Sequence, residues 1–192
     1  LTGLVIVSSV LAYPDIDFAQ GNILAEDGTI SSYGFQREMP EYTADTAVIY
    51  RIMLSEITTV AWNRLIRRDF VLTHKLYFPE GYFTEDMYWG YFIAKHVKAV
   101  SFTHKGLYTY YMNEGSMMTS PKKSTRMKWF TSRLWTSGVY LTDIRKGGAN
   151  KYQRQYLAVN LLSCLVELAN IKSVAPRLQF WGRGGRISLS LI

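Results

Sequence analysis

The chain has 192 residues, 48% hydrophobic and 15% aromatic, a composition that excludes an intrinsically disordered protein. Its charge is uneven: residues 1–120 carry 9 Lys/Arg against 13 Asp/Glu, whereas residues 121–192 carry 13 Lys/Arg against 2 Asp/Glu. The single cysteine, Cys164, excludes an internal disulfide and fits a reducing compartment. The sequence contains no run of about 18 apolar residues, so no membrane span is predicted. The chain begins at Leu1, and we expect it to be a piece of a longer protein.

Hydrophobic periodicity predicts a mixed α/β order in the first part of the chain. In chain order, the predicted elements are a helix over 2–13, a strand over 16–24, a turn at 26–28, a short strand over 29–35, helices over 44–55, 59–72 and 85–96, and strands over 98–103 and 107–112. The first helix should place Leu4, Val7, Val10 and Leu11 on one face.

Two further expectations concern this first part. The strands over 16–24 and 29–35 should pair as a hairpin around the Glu-Asp-Gly turn. The helix over 59–72 should turn Trp62, Leu65 and Ile66 inward and its arginines outward.

The C-terminal part is predicted to be helical. Apolar spacing predicts one helix over 124–146, closed by a glycine pair, and a second over 151–170 that is apolar for most of its length. Together they should form an antiparallel hairpin, and the tail over 176–192 is predicted to be loose. Cys164 lies in an apolar part of the second helix, which predicts a buried, inert thiol.

Adjacent carboxylates at Glu85 and Asp86 open the helix predicted over 85–96, with Thr84 as its N-cap. In a first turn, unpaired backbone N–H groups and the helix dipole favour an ionised carboxylate. An ionised, oriented carboxylate beside a pocket is what a general base needs to take a proton from a hydroxyl. Acidic residues also stabilise first turns without any catalytic role, and the residues alone fit both interpretations.

Three segments in order carry a resemblance to a known family: WNRLIRRDF (62–70), FPEGYFTEDMYWGYFIAKH (78–96) and GLYTYYMNEGSMM (106–118). They supply a Trp-Asn-Arg-Leu segment, a Phe-Pro-Glu-Gly turn, a Glu-Asp pair and a Leu-Tyr-x-Tyr strand ending near Gly-Ser. In this order they resemble the back half of the family 2 glycosyltransferases that build bacterial surface polysaccharides. The resemblance covers about residues 14–120.

The resemblance implies the C-terminal part of a GT-A fold, a Rossmann-like α/β domain. Residues 1–120 would be its acceptor-side half, and residues 121–192 a basic helical hairpin and tail. It also implies inverting transfer of a sugar from a nucleotide-sugar donor to a hydroxyl of a growing surface glycan or lipid-linked acceptor. Asp86 corresponds to the family's general base, and Glu85 to a supporting carboxylate. The nucleotide site and a divalent metal, Mg²⁺ or Mn²⁺, would lie on residues outside this chain, which alone would be inactive.

The same resemblance suggests six residues for substrate binding: Trp62, Asn63, Gly81, Tyr108, Tyr110 and Ser116. The Trp-Asn pair would line the acceptor pocket, and the tyrosines would stack on a sugar. Packing in the core or the sheet accounts for the same residues. The family often has an arginine after the tyrosine run, but Met112 and Asn113 stand there, which leaves a phosphate contact at this point unsupported.

Two sets of residues resemble metal ligands and are not assigned as such. Asp15 and Asp17 have the Asp-x-Asp form, but Asp17 begins the alternation of a strand, and the family's metal motif would precede this chain. His74, His96 and His104 are each without a second ligand at metal spacing. The sequence therefore predicts no metal site within the chain.

The basic C-terminal helices predict an anionic partner. We expect a membrane surface rather than nucleic acid, with the enzyme in the cytoplasm and peripherally associated with the inner face of the cell membrane. The alternatives are a solvated basic face without a partner, or a non-enzymatic binding module for nucleic acid or another protein. The membrane interpretation relies on the start of the first C-terminal helix, with the basic residues Lys122, Lys123, Arg126, Lys128 and Arg133 and the tryptophans Trp129 and Trp135.

Overall fold

The computed structural model describes residues 2–57, 59–113, 122–171, 178–182 and 185–189. The fold is mixed α/β, with helices packed on a four-stranded mixed sheet. In chain order the elements are α1 (Thr2–Ala12), β1 (Phe18–Leu24), β2 (Tyr42–Thr43), α2 (Thr46–Arg51) continued by a π-helical turn (Ile52–Glu56), β3 (Arg64–Ile66), α3 (Arg68–Thr73), α4 (Glu85–His96), β4 (Val100–Thr109), α5 (Lys123–Gly147), α6 (Lys151–Asn170), β5 (Leu178–Gly182) and β6 (Gly185–Leu189).

The main sheet has the strand order β2-β4-β1-β3, in which β1 pairs in parallel with β4 and the two outer strands are antiparallel. Strand β1 is buried on both faces. Ala19 on one face packs under α1, while Phe18 on the other belongs to the main core with Val100 and Phe102. The sequence predicted this strand from alternation, but the structure buries both faces, including the polar side chains of Gln20 and Asn22.

The main core also includes residues of the C-terminal helices. Tyr140 of α5 and Tyr156 of α6 are buried in the same cluster as Phe18 and Trp89. The rings of Tyr140 and Tyr91 stack with their centroids 4.2 Å apart. The helical hairpin therefore shares one core with the sheet, and the division of the chain at residue 120 stays a prediction.

The helix predicted over 59–72 is wrong. The chain turns at residues 61–63, forms β3, and becomes helical only at Arg68. Leu65 pairs with Ala19 on the free edge of β1, and its side chain is exposed rather than buried. The apolar spacing suits a helix, but satisfying the backbone groups along this edge of β1 takes precedence over local propensity.

Three smaller predictions also differ from the structure. The strand over 29–35 is reduced to one bridge between Leu24 and Ile30, because the Asn22 side chain accepts a hydrogen bond from the Phe35 N–H and turns the chain inward. The strands predicted over 98–103 and 107–112 are the single strand β4, which accommodates register shifts opposite β1. Helix α1 packs through Ile6 and Val10, whereas Val7 and Leu11 are exposed and Leu4 lies outside the described side chains.

The C-terminal hairpin is confirmed as antiparallel. Arg126 near the start of α5 pairs with Glu167 near the end of α6, and Tyr140 meets Tyr156 further along. A capping box begins α6, with Asn150 as the N-cap. Cys164 is buried, as predicted, and burial raises the pKa of its thiol.

The tail is more regular than predicted, since β5 and β6 pair in antiparallel fashion. Its sequence explains this, because Phe180, Trp181 and Ile187 are good strand formers on either side of a glycine-rich segment. Among the described residues, no helix has both the length and the apolar character needed to cross a membrane.

Candidate functional site

The first turn of α4 carries the two predicted carboxylates. Helix α4 begins at Glu85 and ends at His96, as the sequence predicts. Thr84 occupies the N-cap position, but its hydroxyl does not cap the helix. It forms a 2.8 Å hydrogen bond with the Thr136 hydroxyl instead, because Thr84 is buried against α5.

Helix α5 fixes the segment around these carboxylates at several points. The Phe83 N–H donates to the Ser132 hydroxyl at 3.1 Å, and the Tyr140 hydroxyl donates to the Met87 carbonyl at 2.7 Å. The ring of Trp135 stacks on another residue of the same segment, Tyr82, with centroids 3.8 Å apart. Contacts on both sides of the Glu-Asp pair leave its backbone little freedom to move.

Asp86 is a half-buried carboxylate with a perturbed proton affinity. Burial raises its pKa, and the like charge of Glu85 raises it further. The Met87 N–H, which donates to Oδ1 at 2.7 Å, and the positive charge of Arg64 oppose these effects without cancelling them. From the sequence we expected the helix terminus to favour the ionised form of Asp86, but the cost of desolvation outweighs this effect on the pKa. A raised pKa makes Asp86 a stronger proton acceptor than an ordinary aspartate.

The positive charge of Arg64 lowers the pKa of Asp86 and so favours its ionised form. The Nη1 atom of Arg64 has almost no contact with solvent, and its Nε donates to the Gln20 side chain at 2.7 Å. Burial lowers the pKa of the guanidinium to about 10, while the attraction of Asp86 keeps it higher than burial alone would. Sequence reasoning placed Arg64 on the outside of a helix, and the only available signal was its position next to the Trp-Asn pair.

Exposed aromatic rings form a separate cluster, which joins the turn before β3 to β4. The Trp62 ring centroid is 4.0 Å from that of Tyr108 and 6.0 Å from that of Tyr110. Trp62 and Tyr108 remain 40% and 42% exposed. The structure thus brings together three predicted substrate-binding residues, and Trp62 is two positions from Arg64. We call Trp62, Tyr108 and Tyr110 the aromatic wall.

The other three candidates for substrate binding lie elsewhere. Asn63 is buried, and its side-chain amide donates to the Gly21 carbonyl at 2.9 Å, so it supports the edge of β1 rather than facing the aromatic wall. Gly81 is exposed in a turn with a φ of 83°, a conformation that favours glycine. Ser116 lies outside the described residues.

Asp15 and Asp17 have structural partners. The Asp15 carboxylate accepts a hydrogen bond from the Tyr42 hydroxyl at 2.6 Å, and the Asp17 carboxylate accepts one from the Lys98 N–H at 2.7 Å. Within the described ranges, no three His, Cys, Asp or Glu side chains are grouped so that they could hold a metal. Each carboxylate of the Asp-x-Asp pair thus has a hydrogen-bond partner within the fold.

The histidines are less isolated than the sequence indicates. The rings of His74 and His96 stack with their centroids 4.4 Å apart, at the end of α4. They share a small cleft of balanced charge, which is also lined by Asp17, Arg67, Asp69, Phe70, Thr73 and Lys98. His104 is separate, with its Nε2 3.0 Å from the Met39 carbonyl. Sequence spacing could not reveal the pair because tertiary packing alone brings α3 and α4 together.

No family model matches the chain, and no curated protein matches its sequence.

The geometry itself defines what this site can do. A half-buried carboxylate with a raised pKa can accept a proton from a hydroxyl. A buried cation next to it can stabilise negative charge. Exposed rings such as Trp62 and Tyr108 can stack on the apolar face of a planar or cyclic ligand.

Proposed function

We propose that this chain is the acceptor-side part of a family 2 glycosyltransferase of the GT-A fold. It transfers a sugar, with inversion, from a nucleotide-sugar donor to a hydroxyl of a growing surface glycan or lipid-linked acceptor. The observation that carries the proposal is Asp86, a half-buried carboxylate with a raised pKa that is held by α5 and interacts electrostatically with Arg64. The order of segments around it supports the same assignment.

In this mechanism, Asp86 takes the proton of the acceptor hydroxyl as that oxygen attacks the anomeric carbon of the donor. The new carbon–oxygen bond forms as the bond to the nucleotide diphosphate breaks, and the diphosphate leaves with the electron pair. Glu85 supports Asp86 because its like charge raises the proton affinity of the base. A divalent metal, Mg²⁺ or Mn²⁺, would neutralise the leaving diphosphate from residues outside this chain.

The aromatic wall supplies the acceptor contact. Sugar rings present apolar C–H faces that stack on aromatic side chains, and Trp62 and Tyr108 retain enough exposure for this. Arg64 follows Trp62 by two positions in the chain, and its positive charge is attracted to Asp86. The enzyme works in the cytoplasm, at the inner face of the cell membrane, where a lipid-linked acceptor is found.

The test uses the full-length protein, its donor and its acceptor. Asp86→Asn should lower the rate of transfer about 100- to 10,000-fold while leaving donor binding near normal, because only the proton acceptor is lost. Glu85→Gln is the matched control, and its loss should be smaller. If Asp86→Asn keeps more than about a third of the activity, the assignment is wrong, because general-base catalysis contributes far more than that.

A second experiment tests whether the donor site lies outside residues 1–192. Residues 1–192 alone should show no specific binding of nucleotide diphosphates with manganese in calorimetry. Tight binding that disappears in Asp15→Ala or Asp17→Ala would contradict the proposal, since it would move the donor site into this chain.

A further inference from the structure

The outward face of α6 is apolar over residues 158–166. Five of its side chains, all Leu or Val, are between 44% and 60% exposed. The opposite face is buried through Tyr156, Asn160 and Cys164. The five exposed residues are Val159, Leu161, Leu162, Leu165 and Val166.

These side chains form one continuous surface. At 3.6 residues per turn, positions 158, 162 and 165 follow one another along the helix, with 159, 161 and 166 on either side. Contiguous exposed apolar surface of this kind marks a site of interaction with another protein or a membrane, whereas scattered single residues do not.

The tip of the hairpin, which precedes this face along the chain, is positively charged. Arg145 and Lys146 end α5, Lys151 and Arg154 begin α6, and all four are exposed. Residues 144–166 contain no Asp or Glu. A basic cluster next to an exposed leucine face matches the two components of an anionic lipid interface, its charged headgroups and its acyl chains.

The tryptophans expected to contact the membrane face the protein instead. Trp135 stacks between Tyr82 and Tyr88, and Trp129 packs edge-on against Phe83. At the start of α5 the tryptophans are half-buried and already packed on other rings, while α6 offers exposed aliphatic side chains beside its charge.

We propose that the outward face of α6 inserts into the interface of an anionic lipid bilayer, with the cations at the tip of the hairpin on its headgroups. The inference rests on the proposed function in one respect, since a lipid-linked acceptor requires the enzyme at a membrane. It assigns the contact to α6 rather than to the tryptophans of α5.

The experiment is cosedimentation of the full-length protein with phosphatidylcholine vesicles, with and without phosphatidylglycerol. Wild type should bind the anionic vesicles and should bind less as salt is added. Leu162→Gln with Leu165→Gln should weaken binding about tenfold or more, because both side chains lose their transfer into the apolar phase. Leu72→Gln, an exposed leucine of α3, is the matched control and should bind as wild type.

Charge has its own pair of variants. Lys151→Gln with Arg154→Gln should weaken binding to anionic vesicles more than Lys122→Gln with Lys123→Gln at the opposite end of the hairpin. Circular dichroism of each variant establishes that it is folded. Absence of binding to anionic vesicles, or binding unchanged by the leucine variants, would overturn the proposal. So would a lipid-free dimer that the leucine variants dissociate, which would assign this face to a second copy.

The design separates this inference from the proposed function. Asp86→Asn should bind vesicles as wild type does, and the leucine variants should keep their activity on a water-soluble acceptor. If the wild-type protein is active but does not bind anionic vesicles, only the membrane face is wrong. If Asp86→Asn is fully active, only the assignment of the base is wrong.

Discussion

The hydroxyl of Tyr140 donates a hydrogen bond to the carbonyl oxygen of Met87, 2.7 Å away, and so links α5 to the residue that follows Asp86. Tyr140 is fully buried, and its ring stacks on Tyr91 of the same helix as Asp86. A C-terminal helix that looks like an appendage in the sequence therefore supports the carboxylate at the centre of the candidate site.

Tyr140→Phe tests this support. The substitution removes one of the hydrogen bonds that the Met87 carbonyl accepts, which should cost about 0.5–1.5 kcal/mol of unfolding free energy. Tyr77→Phe, at an exposed tyrosine, should stay within about 0.5 kcal/mol of wild type. Urea unfolding measures both. Equal stability of the two variants would show that the hydrogen bond contributes nothing.

The packing of α4 against Thr59 predicts opposite effects of the same substitution at two helical glycines. A Cβ at Gly90 would lie 2.8 Å from Thr59 Cγ2, and Thr59 is itself buried. Overpacking costs about 1–3 kcal/mol, against a gain of about 1 kcal/mol from alanine's helix propensity, so Gly90→Ala should destabilise the protein. Gly138→Ala in α5 meets no atom within 4 Å and should stabilise it. Thermal unfolding compares the two, and a stabilised Gly90→Ala would contradict the packing.

Asp86→Asn should change stability in a pH-dependent way. The pKa of Asp86 is raised above its ordinary 3.8, so the folded state binds this proton more tightly than the unfolded state does. The stability that this group contributes is complete below about pH 3.8 and is lost as the pH rises through the folded-state pKa. Asp86→Asn, which carries no charge, should therefore gain stability relative to wild type between acidic pH and pH 7. Urea unfolding at several pH values measures the difference in free energy of unfolding between Asp86→Asn and wild type. A difference that does not change with pH would argue against a raised pKa.

The contribution of His96 to stability should change with pH in the opposite direction. Burial lowers its pKa from the ordinary 6.5, and the nearby His74 and Lys95 lower it further. The unfolded state then binds this proton more tightly, so its contribution is complete above about pH 6.5 and is lost as the pH falls through the folded-state pKa. Subtracting the stability curve of His96→Gln from that of wild type should isolate this decline. If the difference in stability between wild type and His96→Gln does not change with pH below 6.5, the pKa of His96 is not lowered.

The aromatic wall predicts a selective loss of acceptor binding. Trp62→Ala removes the ring that contacts Tyr108, and it should raise the acceptor KM with little effect on donor binding. The fold should survive, because Trp62 is largely outside the core. Tyr111→Ala is the control, since Tyr111 is exposed and has no ring contact among the described residues. A drop in kcat alone would point to a role in the chemical step instead.

Local signals explain what the sequence predicted well. Helix α4 starts at Glu85, after a turn with Pro79 and Gly81, and α6 starts at Lys151, after the Asn150 cap. Predictions failed where partners distant in sequence decide the outcome. Leu65 belongs to a strand because β1 has a free edge there. His74 and His96 meet only through the packing of two helices.

The candidate site shows the same division. Asp86 could be located from its position in a helical first turn, but the sign of its pKa shift could not, because burial depends on α5 and on Arg64. Arg64 itself was placed on the wrong surface, since its environment follows from β3 rather than from the helix that the spacing suggested.

The parallel pairing of β1 with β4 also has a consequence for biosynthesis. Phe18 has its partner at Val100, so β1 leaves the ribosome long before β4 is available. Pairings between such distant segments form slowly, because loop closure must precede any gain in contacts. The nascent chain thus carries β1 with an open edge until β4 has been made, which exposes it to aggregation and to chaperones. Among the described strands, β3 is the one partner of β1 that is made in this interval, and it is three residues long.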